Sequence, residues 1–119
     1  MNDHTSITQR TEKFAIRIIK AYSFLDEKPG ATRVLGKQLL RSGTSIGANV
    51  HEAQSAQSTR DFINKLEIAL KEARETEYWL KILIKSGLVA ESKFNSLLDE
   101  VTQIKAIIAA SVVKLKQKS

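Results

Sequence analysis

The chain has 119 residues, with 19 basic and 13 acidic side chains for a formal net charge of +6, one proline, five glycines and no cysteine. That length suits a single domain with a core of its own, and the missing cysteines exclude a disulfide framework, a thiolate nucleophile and a cysteine-based zinc site. So little proline and glycine leaves no room for a β fold of many tight turns, and no apolar run approaches the roughly 20 residues of a membrane span.

In chain order, the amino-terminal MNDHTSITQR is polar and lacks the apolar centre of a signal peptide, so a cytoplasmic location is expected. Residues 1–5 read as a loose tail. Ser6 and Gln9 have capping-box spacing, and Ile7, Thr11, Phe14, Ile18, Tyr22 and Leu25 then recur at three- and four-residue steps. This predicts a first helix over about 7–27, stopped by Lys28-Pro29-Gly30.

A second helix is predicted over about 31–56 and contains the unusual stretch LLRSGTSIGANVHEAQ, Leu39–Gln54. At 100° per residue, Leu35, Leu39, Ile46, Val50 and Ala53 share one face that also holds Ser42 and Asn49. Gly36, Gly43 and Gly47 line a flank of that face. A mid-helix glycine costs about 1 kcal/mol relative to alanine, so three of them imply a neighbouring backbone at close range. Ser58 and Asp61 cap a third helix, about 59–85, whose main face is Phe62, Ile63, Leu66, Ala69, Leu70, Ala73, Leu80 and Ile84. Ser86-Gly87 ends it. A fourth helix, about 91–116, turns Phe94, Leu97, Val101, Ile104, Ile108, Val112 and Leu115 inward and runs into a lysine-rich tail expected to fray. Four helices with short connections predict an all-α, antiparallel up-down-up-down bundle spanning residues 1–119 as one domain.

Helix three carries apolar residues off its main face. Ile68, Trp79 and Ile82 sit roughly opposite Leu66, with Leu83 to one side. Ile16, Ile19 and Val113 add outward apolar surface on the first and fourth helices. A monomeric bundle has little use for it, so Ile68, Trp79 and Ile82 are expected to form a subunit interface of a homo-oligomer.

No catalytic constellation assembles from these residues. His4 lies in the tail, and His51 is on the polar side of helix two. No Glu-x-x-His pair of the di-iron type is present, and no glycine loop stands between a strand and a helix. A non-enzymatic protein with no metal, cofactor or small-molecule substrate is expected. Glu77 falls within the apolar face of helix three, where a lone carboxylate would be costly unless satisfied. With Ser42, Ser45, Asn49 and Glu52 it is expected to form a polar seam that fixes helix register, with Tyr22 as a further partner.

The basic residues are grouped. Arg33, Lys37 and Arg41 step by four along helix two, while Lys71, Arg74, Lys81 and Lys85 share a flank of helix three with Tyr78. A basic strip with an aromatic in it can hold phosphates and stack a base, so both strips are candidate nucleic-acid contacts, for RNA or DNA.

Leu39–Gln54, followed by DFINKLEIALKEARETEYWLKIL from Asp61 to Leu83, resembles a family of small bacterial four-helix bundles (ribosomal S23-like) first noticed as products of intervening sequences in large-subunit ribosomal RNA genes. The recurring serine, isoleucine, asparagine and glutamate of that family correspond to Ser45, Ile46, Asn49 and Glu52. The resemblance implies an antiparallel bundle assembled into a ring, commonly a homopentamer, with no agreed catalytic residues. A distant branch comprises the pentameric accessory variability proteins of diversity-generating retroelements, which bind nucleic acid. The expected function is a non-enzymatic oligomer that binds nucleic acid, chiefly RNA, through its basic strips. The alternative is a scaffolding ring with a protein partner.

Overall fold

The computed structural model describes residues 6–118. The tail expected over residues 1–5, including His4, and Ser119 lie outside the described residues. Four α-helices follow one another: α1 Ile7–Asp26, α2 Ala31–Ala53, α3 Thr59–Lys85 and α4 Glu91–Lys118. α4, at 28 residues, has a length of about 42 Å at 1.5 Å per residue. The molecule measures 47 × 28 × 20 Å, so the helices run along its long axis. α1 packs on α2 and α4, and α3 packs on the same two, while the diagonal pairs do not meet. The result is a square antiparallel bundle.

Local chemistry sets the ends. Ser6 Oγ accepts from the Gln9 amide at 3.1 Å, and Ser58 Oγ accepts from the Asp61 amide at 3.0 Å, each satisfying a donor that the first helical turn leaves orphaned. Gly30 and Gly87 adopt φ of 66° and 78°, a conformation that costs glycine little and other residues more. α2 stops three residues short of the expected 56. The amides of Gln54, Ser55 and Ala56 bond carbonyls three residues back, so the last turn tightens and leaves the α-helical ladder. α4 instead continues past 116 to Lys118, with Lys116 Nζ 2.6 Å from Glu67.

The core is filled by Phe14, Ile18 and Leu25 of α1, Leu39, Ile46 and Val50 of α2, Leu80 of α3, and Phe94, Val101, Ile104 and Ile108 of α4. Leu83 also belongs to it. It is fully buried, not part of an outer surface, and shares a buried edge of α3 with Thr76 and Leu80. The glycine flank of α2 is the seam with α1. A Cβ added at Gly36 would stand 2.9 Å from Leu25 Cβ, one at Gly43 2.8 Å from Ile18 Cγ1, and one at Gly47 3.2 Å from the Thr11 carbonyl oxygen. Three glycines thus let α1 sink against α2 in close packing.

Candidate nucleic-acid interface

α3 sorts its charges by face. On the edge toward α2, Glu72 and Glu75 both pair with Arg41. On the edge toward α4, Glu77 is held by Lys105 Nζ at 2.8 and 3.1 Å, and its Oε2 accepts from the Thr102 hydroxyl at 2.8 Å. Outside both edges, Lys71, Arg74, Tyr78, Lys81 and Lys85 are all exposed. Their 3-4-3-4 spacing makes a straight stripe, about 21 Å long at 1.5 Å per residue. None of the four cations forms an ion pair among the described residues. Tyr78 is 54% exposed, and its ring lies edge-on to Trp79 at 5.1 Å, which fixes one side and leaves the other to solvent.

The α2 strip differs. Arg33 pairs with Asp26 at 3.2 Å, and Arg41 is taken by the two α3 glutamates. Lys37, between them, is exposed with no ion pair among the described residues. The strip's periodicity is intact, but two of its three charges are spent within the fold.

The five polar residues expected to form one seam do not join in one network. Ser42, fully buried, accepts from the Thr76 hydroxyl at 2.9 Å, and Thr76 is fully buried as well. Ser45 returns its hydroxyl to the Arg41 carbonyl, Asn49 donates to the Ser45 carbonyl, and Glu52 is exposed. Tyr22 reaches Asp26, not Glu77. Thr76 is therefore the cross-helix partner that Ser42 takes, one position before Glu77, while the 100° step carries Glu77 round to α4. Burial alone would push the Glu77 carboxyl up. The hydrogen bonds from Lys105 and Thr102, with the charges of Lys105 and Lys81, outweigh it and hold the group below the ordinary carboxylate value.

Of the three residues expected at a subunit interface, Ile68 is exposed, while Trp79 and Ile82 are half-buried. Trp79 packs against the core, and its Nε1 is buried without a hydrogen-bond partner among the described residues. Val34 on α2, 61% exposed, adds apolar surface that the helical spacings did not single out. No group of three or more His, Asp or Glu among the described residues could hold a metal ion, and no helix is long and apolar enough to cross a membrane.

The profile of a family described as "23S rRNA-intervening sequence protein" matches residues 3–110. A solved structure from Bacteroides thetaiotaomicron VPI-5482, described as a protein of unknown function from the S23 ribosomal protein family, is 43% identical. The match covers 90% of this chain and 98% of that one, with a TM-score of 0.83. No curated protein matches the chain in sequence.

Proposed function

The chain belongs to the 23S rRNA-intervening sequence protein family, and from that premise we propose that it is a non-enzymatic, cytoplasmic, homo-oligomeric protein that binds RNA through the outer stripe of α3. The observation that carries this reading is the row of four exposed, unpaired cations around an exposed tyrosine. Each cation is free to replace a counterion on a phosphate, and the Tyr78 ring offers a base a stacking surface without demanding a sequence. A single stripe of four charges binds weakly. Repetition in an oligomer, with Ile68 and its half-buried neighbours Trp79 and Ile82 at the subunit contact, multiplies the effect through effective concentration.

The test is a salt titration of binding to structured RNA by fluorescence anisotropy. A plot of log K against log salt with a slope near −3 per engaged stripe is expected, from about 0.7–0.9 per neutralised phosphate. Binding that is absent, or indifferent to salt, rejects the proposal.

A further inference from the structure

α1 and α4 are the least closely packed neighbours in the bundle. Beside the first turns of α4 their groove opens into a cleft of about 330 Å³ lined by Arg17, Lys20, Phe24, Lys93 and Ser96 among others. No carboxylate lines it, and Arg17, Lys20 and Lys93 have no ion pair among the described residues. Farther along the same groove, Arg10 is claimed by Glu100 at 2.8 and 2.9 Å and by Gln103 at 2.7 Å. The groove thus neutralises one cation with an acid and gathers three others without one.

Two contacts hold these cations where they are. Arg17 Nη2 donates to Ser96 Oγ at 2.7 Å, which ties the guanidinium across the two helices and spends one of its five donors. The Phe24 ring, packed on Phe94 at 6.1 Å, has the ammonium groups of Lys93 and Lys28 at 4.3 and 4.5 Å from its centroid, within cation–π range. The ring therefore serves as a post for two cations and brings Lys28 beside the cleft. Lys93 also lies in the first turn of α4, where the helix dipole disfavours a cation and favours an anion. Positive charges gathered without an acid repel one another, and an anion placed among them removes that repulsion. A compact ligand of several negative charges matches four cations around a small cleft better than a single carboxylate or an extended acidic chain does. Guanidinium and ammonium groups give phosphate oxygens charge-assisted hydrogen bonds.

We propose that the α1–α4 cleft binds a free, multiply charged phosphate anion of the pyrophosphate class, its oxygens on Arg17, Lys20 and Lys93 with Lys28 at the rim. This site is separate from the α3 stripe and stands whether or not that stripe binds RNA.

Calorimetric titration of the full chain with pyrophosphate, inorganic phosphate and acetate, in buffer without chloride, tests it. Saturable binding of pyrophosphate is expected, about tenfold or more tighter than inorganic phosphate because the anion carries more charge, with no binding of acetate. Arg17→Gln combined with Lys93→Gln should weaken pyrophosphate by about tenfold or more, the loss of charge-assisted hydrogen bonds. Phe24→Leu changes no charge and should still weaken it by about threefold, because the ammonium groups lose their post. A surface that is merely basic would not respond to that substitution. Lys114→Gln with Lys118→Gln removes the same charge from exposed positions near the other end of α4. These lie roughly 30 Å or more along the helix from Lys93, beyond the Debye length at physiological salt, and should leave affinity within about twofold. The Arg17 and Lys93 pair, both exposed, keeps the test decisive if circular dichroism shows that Phe24→Leu does not fold. The proposal is overturned if pyrophosphate gives no saturable heat at millimolar concentration. It is equally overturned if binding ignores the Arg17 and Lys93 substitutions, ignores a folded Phe24→Leu, or falls as much with the Lys114 and Lys118 pair.

Discussion

On α2, Arg33, Lys37 and Arg41 step by four; on α3, Lys71, Arg74, Lys81 and Lys85 step by three and four. The two strips have the same look in sequence and opposite electrostatic outcomes. Asp26, Glu72 and Glu75 absorb the two arginines of α2, whereas the cations of α3 face solvent unpaired. The two helices also differ inside. α2 brings Gly36 and Gly43 so near α1 that an added Cβ would lie under 3.0 Å from a side chain, while α3 buries mainly aliphatic residues. α2 is thus given over to holding the bundle together, and α3 keeps an outer surface of exposed cations. Periodicity locates a basic strip; the acids across the helix interface decide whether its charge is available.

The largest effect expected from this contrast is on stability. Gly43→Leu should destabilise the bundle by about 3 kcal/mol, since overpacking a tight contact costs roughly 1–3 kcal/mol and occasionally more, and here a Cβ alone would already lie 2.8 Å from Ile18 Cγ1. Arg74→Leu on the outer stripe of α3 should change stability by less than about 0.5 kcal/mol. Urea titration followed by circular dichroism reads both, and equal losses would erase the difference between the helices.

Next in size is RNA affinity. Replacing Lys71, Arg74, Lys81 and Lys85 together by glutamine should weaken binding on the order of a hundredfold at low salt and flatten the salt dependence by about three in slope. The triple glutamine variant of Arg33, Lys37 and Arg41 should cost less than about threefold, because removing paired charges frees acids as well as removing bases.

Glu77 sharpens the same contrast, as an α3 carboxylate held by Lys105 and Thr102 of α4. Glu77→Gln should cost about 1 kcal/mol at neutral pH, typical of a partly buried ion pair with hydrogen bonds, without lowering RNA affinity. Its pKa is depressed in the folded state, so the stabilisation is present above the ordinary carboxylate pKa of about 4.3 and is lost as pH falls through the lower folded value. Wild type and variant should therefore converge in acid, which urea midpoints measured across that range will show.

The four helices were legible because their evidence is local. Three- and four-residue spacings, the serine caps and the Gly30 and Gly87 stops each act within a turn or two, and the flank of Gly36, Gly43 and Gly47 announced a close neighbour before the neighbour was known. What required the structure was pairing across helices. Nothing within α3 says that Thr76 meets Ser42, that Glu77 takes its partners from Lys105 and Thr102, or that Arg41 lies against Glu72 and Glu75. Leu83 was assigned to an outer surface for the same reason, since a helical wheel gives angles but not which arc the neighbours cover. The stripe on α3 was visible as composition, and its lack of ion pairs among the described residues was not.

Lysine-reactivity footprinting tests the assignment of RNA to α3 most directly, because both strips carry exposed, unpaired lysines in one molecule. Acetylation of the wild-type protein with and without structured RNA at low salt, read by mass spectrometry, compares Lys71, Lys81 and Lys85 with Lys37 under identical conditions. Strong protection of the three α3 lysines with Lys37 unchanged is the expected result. Protection of Lys37 with the α3 lysines still reactive would contradict it.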